Sequence, residues 1–342
     1  MLKMKTNRKL MAVAMASMLI VGGLSACSNN DNGTDTPAPS SSAASPSAST
    51  PVPTPSGPAP SANSEDVKIL DAFKAKLEQK SSLADLNAQL DADLPKVSKD
   101  MADAMLRQLL SYYDAQLSEV QKSFESDTLQ QQLRKLKWPF TEDQLANMED
   151  AAAREQVQTA LDGGLKLEAA EGFVFPVVDY GKLKRFDADV NPSMKDYIAL
   201  LSIESDQKTA SDGGLVISWD ELANRALTAE QYVKDYPDSP EKAGATQKYI
   251  QYATNLFYGL DNTPIFDYDT YKAKPEITEL YKKIVSEHPD TATAKLAQQF
   301  LDVLTKTDGY VFHKAKDGGQ TSIPEVQAFR EQLESQATTL LG

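Results

Sequence analysis

From residue 67 onward, apolar side chains recur at spacings of three and four, and this periodicity narrows the fold more than any other feature of the chain. Val67, Leu70, Phe73 and Leu77 form one stripe, and Leu83, Leu86, Leu90 and Leu94 a second. Met101, Met105, Leu109, Tyr112, Leu117, Val120 and Phe124 form a longer third. Residues three and four apart share one face of an α-helix, so each stripe predicts a helix with one buried side. Methionines and aromatics at this spacing read as packing rather than as a cofactor box. Leu129, Leu133 and Leu136 extend the pattern to Trp138-Pro139, where proline removes a donor and breaks it. Thr141 with Gln144 predicts a capping box that opens a helix running in pieces to Leu161. Asp162-Gly163-Gly164 stops that helix, because glycine accepts the left-handed conformation after a helix end.

The period then changes. Leu165-Lys166-Leu167-Glu168 alternates, and Phe173-Val174-Phe175-Pro176-Val177-Val178 is β-branched and aromatic. A β-hairpin is expected, with residues 169–172 as its turn. Pro176 cannot donate to a ladder, which places its strand at an edge or near its end. Leu215-Val216-Ile217 follows another Asp-Gly-Gly, and Asp308-Gly309-Tyr310-Val311-Phe312 echoes residues 171–175. One small strand cluster is expected to collect these pieces. Helix starts return at Asn191-Pro192, at the Ser218/Glu221 capping box, and at Ser322 with Glu325.

Two later segments align with each other. Tyr232-Val233-Lys234-Asp235-Tyr236-Pro237-Asp238-Ser239-Pro240 matches Ile284-Val285-Ser286-Glu287-His288-Pro289-Asp290-Thr291-Ala292, and Ala245 and Gln247 match Ala297 and Gln299 at the same offset of 52 residues. Each contains an apolar helix face, a proline that ends it, a capping residue and a new helix. Residues 219–305 thereby resemble the helix–turn–helix junctions of tetratricopeptide repeats, found in divergent form in bacterial envelope-assembly lipoproteins. The usual period is about 34 residues, so the spacing implies an insertion between residues 255 and 275. Residues 171–180, Ile217-Ser218-Trp219-Asp220-Glu221-Leu222 and residues 262–268 also resemble stretches of uncharacterised lipoproteins of Gram-positive bacteria. That resemblance implies a shared helical fold over residues 165–305 and brings no activity or functional residue with it.

Ahead of the helical region the composition differs. Residues 28–63 hold eight prolines and nine serines, with no aromatic, Leu, Ile, Met, Lys or Arg. Such a segment cannot bury enough apolar surface to offset its ordering entropy, so a disordered stalk is expected. Its full extension approaches about 110 Å at ~3.1 Å per residue. Before it, Lys3, Lys5, Arg8 and Lys9 precede an uncharged run of 15 residues, 10–24. That run is short for a membrane span and suits a signal peptide. It ends in Leu24-Ser25-Ala26-Cys27, which resembles a bacterial lipobox, and Cys27 is the single cysteine of the chain. The resemblance implies removal of residues 1–26 and lipidation of Cys27, whose thiolate is the nucleophile able to accept a diacylglyceryl group. The remainder then carries 31 Lys and Arg against 49 Asp and Glu, a formal charge of −18. Phosphate backbones repel such a chain, so nucleic acid is not an expected partner. Membrane affinity is expected from the acyl groups on Cys27.

The expected architecture is mostly α: a helical bundle or irregular array of helical hairpins with a small β-hairpin, on a disordered N-terminal stalk. Its parts are the signal peptide 1–26, the lipidated cysteine and linker 27–63, an N-terminal helical region 64–164, and a C-terminal helical domain 165–342 that contains the tetratricopeptide-like segments near 219–305.

Residues that carry chemistry are few. His288 takes the place of Tyr236 in the aligned segments and is read as packing against its proline. His313 has no second histidine or cysteine near it in sequence, and neither histidine has zinc-site spacing. Glu168, Glu171, Asp179, Glu204 and Asp206 are abundant acids read as a solvated face. The candidate ligand or cation loop is Asp261, Asn262, Asp267 and Asp269, beside Phe266, Tyr268 and Tyr271. Hard oxygen ligands of this kind suit calcium, although the spacing is not that of an EF-hand; the favoured reading is a turn capped by Asp261 or Asn262 with the aromatics tucked into the core. No cofactor is expected. The leading expectation is a binding or scaffold protein of the cell envelope with a protein or peptide partner. A hydrolase using acidic residues is the alternative, and a transporter's solute-binding lipoprotein, which predicts βα alternation in two lobes, comes third.

Overall fold

The computed structural model describes residues 64–316 and 319–342. Cys27, the leader and the Pro/Ser-rich stretch lie outside the described residues. The fold is mostly helical with small antiparallel hairpins, as the periodicity predicts. Five helices come first: α1 (Ser64–Glu78), α2 (Leu83–Asp93), α3 (Lys99–Ser123), α4 (Asp127–Leu133) and α5 (Ala151–Asp162). The hairpin β1 (Leu165–Ala170) and β2 (Phe173–Val178) follows, then α6 (Pro192–Asp206). The rest comprises α7 (Trp219–Asp235), α8 (Lys242–Tyr258), α9 (Pro275–Glu287), α10 (Ala292–Lys306) and α11 (Pro324–Leu341). Three short hairpins are set among them: β3 (Ala210–Ser211) with β4 (Gly214–Leu215), β5 (Gly259–Leu260) with β6 (Thr263–Pro264), and β7 (Phe312–Lys314) with β8 (Gln320–Ser322). No helix among the described residues is long and apolar enough to cross a membrane.

The strands do not collect into one cluster. They form four separate two-stranded pairs, because each is a local excursion at a tight turn between helices. The two-lobed βα alternation of a solute-binding lipoprotein is therefore not the arrangement of the described residues. The β1–β2 turn is also tighter than expected. Ala169 and Ala170 belong to the strand, and the turn is only Glu171-Gly172, with φ of 51° and 78°. Positive φ at both central residues gives the hairpin a twist that matches its strands.

Other departures have local causes. α4 ends at Leu133, short of Leu136. The Gln144 side chain closes the following loop, accepting from the Lys137 amide at 2.8 Å and donating to the Lys137 carbonyl at 3.1 Å. Engaged there, Gln144 does not complete a capping box, and Glu142–Asn147 is a 3-10 turn. α5 is opened instead by Asp150, whose carboxylate accepts from the Ala153 amide at 2.9 Å. Ser322 is the last residue of β8 rather than a cap, and α11 starts from Pro324 in the first helical position. The starts at Asn191-Pro192 and Ser218 stand where expected, with Ser218 accepting from the Glu221 amide at 3.1 Å.

Two hydrophobic cores result. The N-terminal core gathers Phe73, Leu86, Leu90, Met105, Leu109, Tyr113 and Val157 with Leu165, Val174 and Val178 of the hairpin. The sequence groups the hairpin with residues 165–342, but its buried face joins the core built by 64–164. The C-terminal core gathers α7–α11, centred on the rings of Phe257, Tyr281, Phe300 and Phe329 with centroids 4.7–6.1 Å apart. α6 bridges them: Met194 and Ile198 enter the first core, Leu200 enters the second, and Tyr197 packs against both. Gly244 of α8 accommodates Tyr197, whose hydroxyl occupies the space a β-carbon would need.

The aligned segments are two helix–turn–helix junctions, α7–α8 and α9–α10. Their turn residues share a conformation, with φ −128° and ψ 61° at Tyr236 against φ −131° and ψ 47° at His288. Each donates its amide to the carbonyl four residues back. The insertion between them is residues 259–274, since residues 255–258 complete α8.

Candidate functional site

The candidate loop folds around a turn. One carboxylate oxygen of Asp267 accepts from the amides of Asp269 and Thr270 at 3.1 and 2.9 Å and from the Thr270 hydroxyl at 3.0 Å. These donors, the Thr270 amide foremost, hold the Asp267 carboxyl below the usual aspartate range. Asp269 is exposed beside it. Asn262 serves another purpose at the tip of β5–β6: its backbone amide donates to Gly213 and its side-chain amide to Asp212, at 2.8 and 2.5 Å. Thr263 accepts from the Leu215 amide at 3.1 Å, so two hairpin tips clasp each other. Asp261 offers its carbonyl to the Tyr268 hydroxyl at 2.8 Å. Phe266 is buried against Phe312, whereas Tyr268 is 55 % exposed. The four predicted residues thus fall into a turn and a clasp. Among the described residues no three His, Cys, Asp or Glu side chains are placed to hold a metal ion.

Of the other singled-out acids, Asp179 and Asp206 both set a carboxylate oxygen beside Gly181. Asp206 pairs with Lys184, and Glu171 sits in the hairpin turn. Glu168 and Glu204 do meet, as lining of a cleft of about 430 Å³ between the outer face of β1–β2 and the chain after α6. Each is already engaged. Glu168 lies 3.3 Å from Lys166 and 3.8 Å from Lys208. Glu204 accepts from the Thr209 amide and hydroxyl and from the buried Arg225 guanidinium. His313 is exposed, and His288 is half-buried at the α9–α10 turn.

His288 leads to a larger feature, part of whose lining comes from the two aligned segments. A groove of about 660 Å³ runs between α6 and α7 and reaches His288 and Thr291 at one side. α6 contributes Asp196, Ala199, Leu200 and Ile203; α7 contributes Asn224, Leu227, Thr228, Gln231, Lys234 and Asp235, among others. Both sets repeat at three and four residues, so each is one face of its helix. Residues 224 to 235 span about 16 Å of α7 at ~1.5 Å per residue. Half-buried Ile203 and Leu227 supply apolar surface over the buried Leu200 and Tyr232, and the rims are polar.

Two buried arrangements shape this groove. Glu230 is 1 % exposed and caps the start of α10: its carboxylate accepts from the Ala292 and Thr293 amides at 2.5 and 3.0 Å and from the Thr293 hydroxyl at 2.8 Å. Unpaired amides at a helix start favour an anion, so one residue of α7 docks the second helical hairpin. Lys234 lies 2.8 Å from Glu230 and balances its charge. At the same end, Tyr197, Tyr232 and Tyr236 form a ladder with centroids 5.7 and 5.0 Å apart. The Tyr236 hydroxyl donates to Asp196 at 2.6 Å, and this bond to a carboxylate pushes the phenol up to about 12. Burial raises Tyr232 and Tyr197 as well, so all three rings are neutral at physiological pH. Asp196 and Tyr236 are 40 residues apart in sequence, and only the packing of α6 on α7 joins them. The signal available beforehand was a second, mixed helical face at 224, 227, 228 and 231, beside the buried one.

No protein-family model, curated protein or solved structure matches this chain.

Proposed function

We propose that the protein is a lipid-anchored extracytoplasmic binding or scaffold protein of the cell envelope, tethered through acylated Cys27 and presenting the α6–α7 groove to an envelope protein or peptide. In a Gram-positive cell the anchor lies in the outer leaflet of the membrane. The leader and Cys27 support the address, and the Pro/Ser-rich residues 28–63 supply reach. The groove carries the binding role: two helices wall a space of about 660 Å³ with a narrow apolar floor and polar rims, a shape that accepts a peptide segment along its length. Stacked helical hairpins commonly present extended surfaces of this kind.

The test is a photo-cross-linking side chain placed at Thr228 in the groove, or at the distant, exposed Asp302, in full-length protein in its native membranes. A discrete adduct from position 228 that is absent from position 302 is the expected result. Equal or absent labelling from both positions rejects the groove as a partner site. For the anchor, Cys27→Ala is expected to move the protein to the soluble fraction, and retention in the membrane pellet contradicts it.

A further inference from the structure

We infer that the segment taken by the α6–α7 groove is cationic and amphipathic, with apolar side chains on the groove floor and a Lys or Arg at the Asp196–Tyr236 end. This deepens the binding reading above and rests on it. The groove offers about three helical turns of α7 as one wall and a face of the antiparallel α6 as the other. Its floor, the half-buried Ile203 and Leu227 over the buried Leu200, matches apolar residues repeated at three and four in a bound helix.

Charge then selects the partner. Of the charged groups lining the groove, Glu230 is spent on the start of α10 and Lys234 on Glu230. Asp196 and Asp235 have no cationic partner among the described ion pairs. Asp196 accepts from a neutral phenol at 2.6 Å, and Asp235 from the Gln231 amide at 2.7 Å. Both are exposed, and they stand at the end of the groove lined by the rings of Tyr232 and Tyr236. Carboxylates beside aromatic rings attract an ammonium or guanidinium through charge and through the ring quadrupole together. The formal charge of −14 over the whole chain adds long-range attraction for a basic segment and repels an acidic one. A second copy of this chain carries the same acidic balance and fits less well.

The experiment uses full-length lipidated protein in phosphatidylcholine nanodiscs, with empty discs as the background. The probe is a synthetic 18-residue Leu/Lys peptide of helical period carrying one benzophenone; its counterpart has Glu at every Lys. Photolabelling by the Lys peptide is expected to map to α6 and α7 and to be absent with the Glu peptide. Asp196→Asn with Asp235→Asn keeps both side chains as acceptors and removes both charges. It is expected to raise the half-saturating concentration about tenfold, as losing two partly exposed ion pairs implies. Equal labelling by the Glu peptide, labelling that maps elsewhere, or no change in the double variant overturns the inference. An adduct from position 228 in native membranes together with failure of the Lys peptide leaves a binding groove with a different partner chemistry. Labelling by the Lys peptide without any native adduct removes the envelope partner instead. Circular dichroism of the double variant verifies that it is folded.

Discussion

In the N-terminal core the hairpin is held by side-chain amides, whereas in the C-terminal core one helical hairpin is held to the next by a carboxylate. Gln130 accepts from the Val174 amide at 3.1 Å and donates to the Val174 carbonyl at 2.6 Å, and Gln121 donates to the Pro176 carbonyl at 3.0 Å. Glu230 meets the first amides of α10. The difference follows from what each backbone leaves unpaired. A strand edge alternates donors and acceptors, which an amide side chain can match on both counts. A helix start presents donors alone, which a carboxylate matches better and its charge reinforces. Pro176 fits the same scheme. Its missing donor points outward from β1, because the paired hydrogen bonds fall on the alternate residues, and Gln121 satisfies the carbonyl that remains.

The comparison can be broken at several strengths. Phe300 is fully buried among Phe257, Tyr281 and Phe329, so Phe300→Ala is expected to cost about 4 kcal/mol. Urea unfolding followed by tyrosine fluorescence from the C-terminal core reads that loss. Glu230→Ala strands two buried amides and leaves Lys234 unbalanced, and an expected loss of about 3 kcal/mol accompanies it. Faster hydrogen exchange at the Ala292 and Thr293 amides would localise the damage; unchanged exchange there would refute the docking role.

Exchanging the two chemistries sharpens the contrast. Gln130→Glu keeps an acceptor for the Val174 amide but sets a carboxylate against the Val174 and Phe124 carbonyls, so a loss of about 2–3 kcal/mol is expected. Glu230→Gln retains one acceptor for the α10 amides and is expected to cost less, about 1–2 kcal/mol. Melting temperatures of the two variants test the order, and the reverse order would invalidate the argument from backbone polarity.

The smallest effect lies in the inserted loop. Asp267 has its carboxyl pKa lowered in the folded state by the Thr270 amide, so its contribution is complete above the ordinary aspartate value and fades as pH falls through the folded value. Asp267→Ala is therefore expected to speed exchange of the Thr270 amide near neutral pH. The two proteins should converge in strong acid, and a difference that grows on acidification would contradict the sign.

Much of the fold was legible because local rules govern it. The stripe from Met101 to Phe124, proline after Asn191, Ser218 before Glu221, and Gly164 with φ 78° act through neighbours within a few residues. The misreadings occur where a distant or competing group claims the same side chain. Gln144 is the clearest case: it still donates to the Thr141 hydroxyl, but the Lys137 backbone holds its side-chain amide on both sides, so the capping box is not completed. The candidate loop reads foremost as a turn capped by Asp261 or Asn262, whereas Asp267 closes the turn and Asn262 reaches residues 212 and 213, about fifty positions earlier. The pairing of Asp196 with Tyr236 raised no signal, since helices of mixed composition expose many such residues and sequence does not say which helices lie side by side.

The sequence alone determined the helical period, the turns built on glycine and proline, the acidic balance and the placement of a single cysteine after an uncharged apolar run. These depend on side-chain size, backbone freedom and charge within a few residues. Tertiary structure decided which acids are spent and which stand ready. Glu230 became a buried helix anchor and Glu204 a partner of Arg225, whereas Asp196 and Asp235 have no cation among the described ion pairs and stand beside tilted tyrosine rings. A carboxylate's role depends on donors brought within about 3 Å, and only the packing of one helix against another supplies them.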